Sequence, residues 1–404
     1  MTHHLKGLAV AGSVFAMAAS GAVAGEVKIG SVAGVTGPIA ELVVPIVAGR
    51  SLAAKHINAQ GGVLKGDTLK LVLSDSACDP KGGVDAGTKV VNVEQVVAIV
   101  GASCSGATNG MVQSVTIPAG VTSVSDSATA PSITDLKDND HVFRVAASDA
   151  YQGAALAKLA IDSGYKKLAV SYANDDYNAG LAAVFVESFK KLGGTITANQ
   201  MHEPKKASYR SELATLSGKG EEALALFSYY GSGGITIMRN SLENDLFDKF
   251  LGADGMFDKS VLEQIGADTL RGNILITQAT SDLESQSYKL FADAFKATGH
   301  NPQAPYAAHG YDATFLLALA VEKAGSADRS KISAALRAVA GPPGMVIRPG
   351  QWKEAKAAIA AGKDINYEGA VGNNDFDENG DVTAIFSVNT VGDDGNWKMI
   401  SIME

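Results

Sequence analysis

Hydrophobic and polar positions along the chain follow two alternating patterns. Short apolar runs of about four to eight residues, typical of buried strands, are separated by longer stretches with apolar residues at helical spacing. This alternation predicts parallel sheets covered by helices on both faces. The predicted strands are 27–33, 68–75, 96–100, 120–124, 141–145, 167–172, 195–202 and 223–229. The predicted helices are 40–58, 84–95, 106–117, 149–162, 179–192, 209–216 and 235–246.

The strand and helix scheme occurs twice along the chain. Its second series begins with the helix predicted at 149–162, further helices are predicted between 284 and 337, and short strands are predicted at 376–388 and 397–402. The chain has 404 residues, which exceeds the roughly 250–300 residues at which single cores usually split. We therefore predict two α/β lobes that hold a ligand in the cleft between them and trap it by hinge closure.

The first residues have the pattern of an export signal. Lys6 precedes an apolar run at 7–19, and Ala22-Val23-Ala24 has the small-x-small form of a cleavage site. The run is too short for a stable membrane anchor, and no later segment offers about 18 unbroken apolar residues. We expect cleavage after Ala24, which removes 24 of 404 residues and leaves 380. Gly25 rather than a cysteine would then come first, so we expect no lipid anchor.

Charge and cysteine content narrow the class of partner and the compartment. The formal net charge of the full chain is −9, and an acidic surface without basic runs argues against nucleic acid or an anionic membrane as partner. Two cysteines, Cys78 and Cys104, in an exported chain predict one disulfide, with two buried free thiols as the alternative. The bond would close a loop of about 27 residues and stabilise the fold by roughly 3.5 kcal/mol.

Small polar residues gather directly after the predicted strands, at 76–80, 103–108 and 125–131. In an open α/β sheet the carboxyl ends of the strands form the edge where ligands bind. Ser105 begins a predicted helix, whose free N–H groups and positive dipole end favour an anion. These positions therefore predict a cradle of hydrogen-bond donors for a carboxylate. The alternative is a helix start without a ligand.

Two local motifs resemble ion-binding loops without completing them. The segment 101–108 is close to a phosphate-binding loop, but Ala107 stands where that loop requires lysine. The segment 375–380 fits the first half of a calcium loop, but position twelve is Phe386 rather than a bidentate glutamate. We interpret the second segment as a turn between two strands, and we expect neither a cofactor nor a metal.

Ser105, His309 and Asp312 are the residue types of a hydrolase triad, but the chain has no Gly-x-Ser-x-Gly elbow. His309 lies in a predicted helix, where a histidine is more often structural. The remaining histidines show no ligand spacing, and there is no Cys-x-x-Cys. We therefore expect a binding protein rather than an enzyme.

Taken together, several short motifs resemble the periplasmic leucine/isoleucine/valine-binding proteins of ABC importers over essentially the whole mature chain. The resemblance implies the type I periplasmic binding protein fold, with two doubly wound parallel-sheet lobes joined by three hinge crossovers. It places lobe one at 25–147 with 281–386 and lobe two at 148–280 with 387–404. The matching motifs are Gly37-Pro38, 58–62, 75–80, Cys104-Ser105, 128–131, 174–177, 250–255 and 379–381.

The resemblance also implies a role for each polar contact with an amino-acid ligand. Ser105 would hold the α-carboxylate with its hydroxyl and amide groups, and Thr129 would give its hydroxyl to the carboxylate or the ammonium. Ser127 would offer its backbone carbonyl to the ammonium. Asp254 stands where the family has an acidic group for the ammonium, although the usual residue is glutamate. The alternative for Asp254 is a turn residue, since Ala-Asp-Gly suits a tight turn.

Three aromatic residues match those that wall the family's cleft. Tyr177 and Tyr230 would belong to lobe two and Tyr306 to lobe one, with a helix start and a core position as the alternatives for Tyr177 and Tyr230. The chain departs from the family at 41–45, which reads Glu-Leu-Val-Val-Pro where an aromatic residue is common. The side-chain pocket has therefore lost a ring.

The resemblance implies a periplasmic solute-binding protein that captures an amino acid, branched-chain or otherwise apolar, by hinge closure. A membrane ABC permease would be its partner, and we expect a monomer. The alternative is a binding protein or sensor of the same fold for an amide, urea or an aromatic acid.

Overall fold

The computed structural model describes residues 1–2 and 25–403, and its architecture is two parallel sheets flanked by helices. The strands are β1 Glu26–Ala33, β2 Thr68–Asp75, β3 Ala98–Val100, β4 Ser123–Ser125, β5 Val142–Arg144, β6 Lys167–Ala173, β7 Thr195–His202, β8 Ala223–Phe227, β9 Phe250–Ala253, β10 Ile274–Thr280, β11 Met345–Ile347, β12 Ile365–Gly369, β13 Gly372–Asn373, β14 Ile385–Val391 and β15 Trp397–Met403. The helices are α1 Ala40–Ala59, α2 Pro80–Thr88, α3 Ser105–Met111, α4 Asp149–Asp162, α5 Asp176–Lys191, α6 Arg210–Leu216, α7 Gly234–Glu243, α8 Lys259–Val261, α9 Ala267–Leu270, α10 Gln286–Lys296, α11 Ala307–Ala324, α12 Ile332–Ala340 and α13 Trp352–Ala360.

The two large sheets have the same parallel strand order. The first runs β2-β1-β3-β4-β5, and the parallel part of the second runs β7-β6-β8-β9-β10. In each, the order reverses beside the first strand, which creates a crevice at the carboxyl ends of the strands. Two antiparallel strands, β14 and β15, extend the second sheet beyond β10. The predicted type I periplasmic binding protein architecture is confirmed.

The sheets support the lobe limits given above, which we retain as a proposal. The five-stranded sheet takes its strands from 26–144, whereas the seven-stranded sheet takes its strands from 167–280 and 385–403. On these limits the chain would pass between the lobes three times, near Ala147, Thr280 and Phe386. A small third sheet of β11, β12 and β13 lies in the segment after the second crossing.

Helices α1 and α11 pack at close range in the first lobe. A Cβ added at Gly49 would lie 2.1 Å from the Ala307 carbonyl oxygen, and one added at Gly310 would lie 2.4 Å from the Ile46 carbonyl oxygen. Glycine at these two positions lets the helix backbones approach without a clash. Helix α11 is buried throughout 307–321, so it forms the centre of the first-lobe core.

The structure differs from the predicted elements mainly at their ends. The third predicted helix begins at Ser105 and is α-helical to Met111, after which a π-helical turn carries it to Thr116. The predicted strand at 120–124 is the shorter β4. The export signal with its cleavage site lies outside the described residues. Among the described residues, no helix is long and apolar enough to cross a membrane.

Candidate functional site

The loops at the carboxyl ends of the parallel strands carry six of the seven predicted site residues. Ser105 follows β3, and Ser127 and Thr129 follow β4. Tyr177, Tyr230 and Asp254 follow β6, β8 and β9 of the second sheet. Tyr306 comes from the first lobe, directly before α11. A cavity at this edge is lined by Ile39, Leu42, Ser103, Ser127, Tyr177, Tyr229, Asp254, Gly255 and Tyr306.

Four of the seven predicted ligand-binding residues line this cavity, namely Ser127, Tyr177, Asp254 and Tyr306. Ser105 and Thr129 are buried next to the lining residues rather than among them. Tyr230 packs in the core of the second lobe, and its neighbour Tyr229 lines the cavity instead. Tyr230 is therefore in the core position that the sequence left open as its alternative.

The Ser105 hydroxyl has a fixed direction of donation. Its oxygen accepts hydrogen bonds from the backbone N–H groups of Thr129, at 3.2 Å, and Ala130, at 3.1 Å. A serine hydroxyl has two acceptor lone pairs and one proton, so both lone pairs are occupied and only the proton remains. Ser105 can therefore act on a further group only as a donor.

The Thr129 hydroxyl is arranged in the opposite sense. Its Oγ1 donates to the Asp149 carboxylate at 2.9 Å, across the first crossing between the lobes. Because the proton is used in this bond, only the lone pairs of Oγ1 are left for another partner. Thr129 can therefore accept a hydrogen bond from a cation, whereas Ser105 can donate one to an anion.

A buried arginine holds the loops after β3 and β4 in place. Arg50 of α1 is fully buried; its Nε lies 2.7 Å from the Asp126 carboxylate and its guanidinium also donates to Ser103 Oγ at 3.0 Å. It further donates to the Ser31 hydroxyl and to the Val32 carbonyl. Each bond from a charged donor contributes about 1.5–3 kcal/mol. One side chain thus fixes the ends of three neighbouring strands.

The predicted disulfide is present between Cys78 and Cys104, whose Cα atoms are 5.4 Å apart. Cys104 precedes Ser105 directly and is the N-cap position of α3. The bond connects this turn to the loop after β2, so it braces the Ser105 turn from behind.

A second buried ion pair fixes the loop that carries Thr129. Arg144 donates to the Asp381 carboxylate at 2.5 and 2.8 Å and to the Ala130 carbonyl at 2.9 Å. Asp381 directly follows the predicted turn at 375–380. In this turn the Asp377 carboxylate accepts from the backbone N–H groups of Asn379 and Asp381. The turn interpretation therefore agrees with these contacts.

Asp254 presents a buried carboxylate with neutral partners. Its Oδ1 accepts from Gln152 Nε2 at 2.7 Å, and its Oδ2 accepts from the Tyr306 hydroxyl at 3.0 Å. Among the described residues, no lysine, arginine or histidine forms an ion pair with it. Burial raises the pKa of Asp254 above its usual value, and the hydrogen bonds from Gln152 and Tyr306 oppose that shift. The carboxylate is therefore an uncompensated negative group.

Asp149 is a second buried acid beside the site, and the sequence did not single it out. It begins α4, its Oδ2 accepts from Thr129, and its Oδ1 has no hydrogen-bond partner among the described residues. Burial and the nearby Asp254 charge raise the pKa of Asp149 well above its usual range. Asp149 and Gln152 are three residues apart on one face of α4, so the helix brings both side chains to the site.

The aromatic wall of the second lobe consists of Tyr177 and Tyr229. Their rings stack with centroids 5.2 Å apart, and burial raises the pKa of both hydroxyls well above the usual value. Tyr177 is placed by the start of α5, where the Asp175 side chain caps the helix by accepting from the Asn178 N–H at 2.9 Å. A Cβ at Gly255 would lie 3.1 Å from the Tyr177 ring, so glycine lets the ring lie flat against this turn.

The cavity between the lobes is small. Its volume is about 20 Å³, enough for about one water molecule. Beyond Tyr229 a larger space of about 390 Å³ opens at the cleft mouth, lined by the disulfide, Asp175, Asp176 and Lys205 among others. A ligand larger than water therefore requires the lobes or the tyrosine rings to move, and the cleft mouth is the adjoining space.

The triad and metal hypotheses find no support in the geometry. The His309 ring packs against Tyr306 with centroids 5.0 Å apart, and Asp312 accepts from the Tyr367 hydroxyl and two backbone N–H groups. Ser105 has neither of them as a hydrogen-bond partner. Among the residues that the structure describes, no group of three acidic, histidine or cysteine side chains could hold a metal ion.

Two lobes of equal topology, a cleft at their switch points and a buried acid with neutral partners define a ligand-binding protein of the cleft-closing class. The model of the periplasmic binding protein family matches residues 26–384 of the chain, and the chain belongs to this family. The family consists of substrate-binding proteins of transporters rather than enzymes.

Similar proteins and similar solved structures are consistent with this family assignment. The chain is 30% identical over 339 residues to the leucine-, isoleucine-, valine-, threonine- and alanine-binding protein of Pseudomonas aeruginosa, covering 83% of this chain and 89% of that protein. A leucine-binding protein from Thermotoga maritima is similar in structure, with a TM-score of 0.79 and 26% identity, over 94% of this chain and 99% of the other. An R. palustris solute-binding protein in complex with benzoate shares the fold, with a TM-score of 0.75 and 20% identity, over 94% of this chain and 96% of the other.

Proposed function

We propose that this protein captures a small apolar amino acid, with a branched-chain side chain as the first candidate, and delivers it to a membrane ABC permease. The observation that carries the proposal is Asp254, a buried carboxylate on the cavity wall whose hydrogen-bond partners are all neutral. A buried charge without a counter-ion is costly, so the site favours a ligand that brings a positive charge.

The ammonium of an amino acid meets this requirement. A charge-assisted hydrogen bond to Asp254 contributes roughly 1.5–3 kcal/mol. The lone pairs of Thr129 Oγ1 and the backbone carbonyl of Ser127 supply neutral acceptors on the first-lobe side. Asp254 is one methylene shorter than glutamate, so the ammonium would lie closer to β9 than in a site with the longer acid.

The carboxylate of the amino acid would bind next to Ser105. The free proton of the Ser105 hydroxyl and the first turn of α3 both favour an anion. This turn is held by Arg50 and the disulfide rather than by the ligand. The donors are therefore oriented before a ligand arrives, which reduces the entropic cost of binding.

Apolar side chains complete the cavity and favour an apolar ligand. Ile39 and Leu42 line the cavity together with the Tyr177 and Tyr229 rings. No charged side chain other than Asp254 is among the described lining residues. Leu42 stands near the position where the family commonly has an aromatic ring, so a branched aliphatic side chain would contact aliphatic groups on one side and tyrosine rings on the other.

Aromatic acids and amides are the alternative ligands of this fold. A benzoate-like anion would bring a negative charge next to two buried acids, Asp254 and Asp149. These two acids lie close enough together that the Asp254 charge raises the pKa of Asp149. Like charges at such distances repel. The site therefore disfavours a simple aromatic acid. A neutral amide or urea lacks this penalty and is the competing candidate.

Isothermal titration calorimetry with refolded, ligand-free protein tests the ligand class. L-Leucine, L-isoleucine and L-valine are compared with isocaproate and isoamylamine, which lack the ammonium and the carboxylate respectively, and with benzoate, acetamide and urea. We expect the amino acids to bind most tightly and isocaproate to bind least. If acetamide or urea binds while no amino acid binds below about 1 mM, a threshold of about −4.1 kcal/mol, the amino-acid assignment fails.

We further propose export to the periplasm with cleavage after Ala24, a monomeric state, and delivery to a permease. The backbone nitrogen of Gly25 donates to Asp67 Oδ1 at 2.8 Å, so a new N-terminal ammonium at Gly25 would meet a carboxylate. Mass spectrometry of the mature protein should give Gly25 as the first residue. Light scattering should give the mass of one chain.

A further inference from the structure

A second cavity lies on the hinge side of Tyr306, separated by that ring from the cavity described above. Its volume is about 300 Å³, at the lower limit of small-molecule pockets, which span about 300–1,000 Å³. Tyr306 lines both cavities. The walls come from the crossover strands β10 and β14, from α10 and the start of α11 in the first lobe, and from β15 in the second.

The wall of this cavity is polar but carries no permanent charge. None of the described residues that line it is aspartate, glutamate, lysine or arginine. Burial lowers the pKa of His309 to about 4, so its ring is neutral at physiological pH. Five carboxamide side chains contribute to the lining, and they belong to Gln278, Asn301, Gln303, Asn389 and Asn396. Such a wall offers hydrogen bonds without attracting an ion.

Three buried polar side chains in this wall have hydrogen-bonding capacity that the protein does not use. Tyr288 and His309 are 6% and 3% exposed, and Tyr288 Oη and His309 Nδ1 have no partner among the described residues. Gln278 is 6% exposed, and its side-chain amide likewise makes no hydrogen bond within the described chain. Buried polar groups are usually paired, so this cluster points to a partner from outside the chain.

We propose that this hinge-side cavity binds a neutral polyol of the size of one sugar ring. Each hydroxyl of a polyol is both donor and acceptor, as the carboxamides and Tyr288 Oη require. The apolar C–H faces of a sugar ring suit the aromatic rings of Phe257, Trp397 and Tyr306, which also line the cavity. A charged ligand would find no counter-ion here, and an apolar ligand would leave Tyr288 and His309 unpaired.

The position of the cavity links this site to lobe movement. Its walls belong to both lobes and to two of the crossover strands, so a bound polyol stabilises the interlobe arrangement in which those walls face one another. If the cleft captures an amino acid as proposed above, the two ligands must change each other's affinity by the same factor. This coupling rests on the proposed function, whereas polyol binding itself does not.

Titration calorimetry with D-glucose tests the proposal, with gluconate and glucosamine as charged analogues of the same size and acetamide as an amide. We expect glucose to bind and both charged analogues to bind at least tenfold more weakly. Tyr288→Phe removes only an unpaired hydroxyl, so it should fold normally and weaken glucose binding about fivefold, the effect of one hydrogen bond. Tyr151→Phe, on the exposed surface of α4, is the matched control and should change nothing.

Two further measurements separate this site from the cleft. With no amino acid present, Ser105→Ala should leave glucose affinity unchanged while it impairs amino-acid binding, because Ser105 lies in the first-lobe turn and does not line the hinge-side cavity, so failure of the proposed function would not conceal the second site. Gln278→Leu should weaken glucose binding as Tyr288→Phe does. The proposal is overturned if glucose gives no binding heat at a concentration 50 times about 1 mM, or if gluconate binds as well as glucose. It is also overturned if acetamide binds and glucose does not, or if the Tyr288→Phe and Tyr151→Phe variants bind glucose equally well.

Discussion

The two walls of the cleft are stabilised in different ways. The first-lobe wall consists of the turns after β3 and β4, held by the buried Arg50–Asp126 ion pair and the disulfide. The second-lobe wall consists of Asp254 and stacked tyrosines, and Asp254 is held by two hydrogen bonds from neutral side chains. One wall is thus rigid before binding, whereas the other carries a charge without a counter-ion. We infer from this difference that the first lobe orients the ligand and that the second lobe selects its charge.

The largest expected effect concerns the rigid wall. Arg50→Met leaves the Asp126 carboxylate buried without its partner, which costs about 3–5 kcal/mol. Lys28→Met is the matched control, because Lys28 pairs with Glu94 at 3.2 Å with both side chains about one-third exposed. Such a pair contributes at most about 1 kcal/mol. Chemical denaturation of both variants measures the difference, and equal losses would contradict a preorganised first-lobe wall.

The next effect concerns the charge on the second wall. Asp254→Asn keeps the shape of the side chain but removes its charge, so amino-acid affinity should fall at least tenfold, or about 1.4 kcal/mol. Asp248→Asn, on the exposed surface of the same lobe, is the control for net charge. Calorimetric titration of both variants gives the comparison. An unchanged Kd for Asp254→Asn would remove Asp254 from contact with the ligand.

The pH dependence of binding also tests the role of the charge on Asp254. Burial raises the pKa of Asp254 in the free protein, and an ammonium requires the ionised form. Affinity should therefore be level well above that raised pKa and fall as the pH drops through it, by at most about tenfold per pH unit. Titrations at a series of pH values should show the decline beginning above the usual range of an aspartate. In Asp254→Asn this decline should disappear or weaken.

The smallest effect concerns the bond that joins the two walls. The Tyr306 hydroxyl of the first lobe donates to Asp254 of the second. Tyr306→Phe removes this bond, and ligand affinity should fall about fivefold, since a hydrogen bond contributes about 1 kcal/mol. Tyr151→Phe again serves as the control. A tighter Kd in Tyr306→Phe would mean that the bond competes with the ligand for Asp254 rather than supporting closure.

The fold was predictable from the sequence because alternating strands and helices leave few arrangements, and the disulfide followed from two cysteines in an exported chain. Asp254 could also be named as a site residue, since it follows an apolar run that forms a parallel strand, whereas Tyr177 was named only through the resemblance to the family. Tyr229 was missed in favour of Tyr230. All five residues of β8 are buried, so alternation cannot tell which of two adjacent tyrosines faces the cleft after the strand ends.

Long-range electrostatic partners were the other part that the sequence did not reveal. Arg50 lies in a mostly apolar helix, and its partner Asp126 is 76 residues away. A buried arginine predicts that an acid must be near, but the choice among 43 acidic residues depends on tertiary structure. Asp149 presented the same difficulty, because a helix start is a common place for an aspartate on the surface as well.

One tryptophan lies where its fluorescence could report movement of the lobes. The chain has two. Trp352 is fully buried in the first-lobe core, and its Nε1 donates to the Gly62 carbonyl at 3.0 Å. Trp397 is half-buried, packs against Phe257 with the two rings tilted by 33°, and lines the hinge-side cavity. Replacing Trp352 by phenylalanine would leave a single indole at the hinge. Its emission would then report lobe movement in real time, without an attached dye.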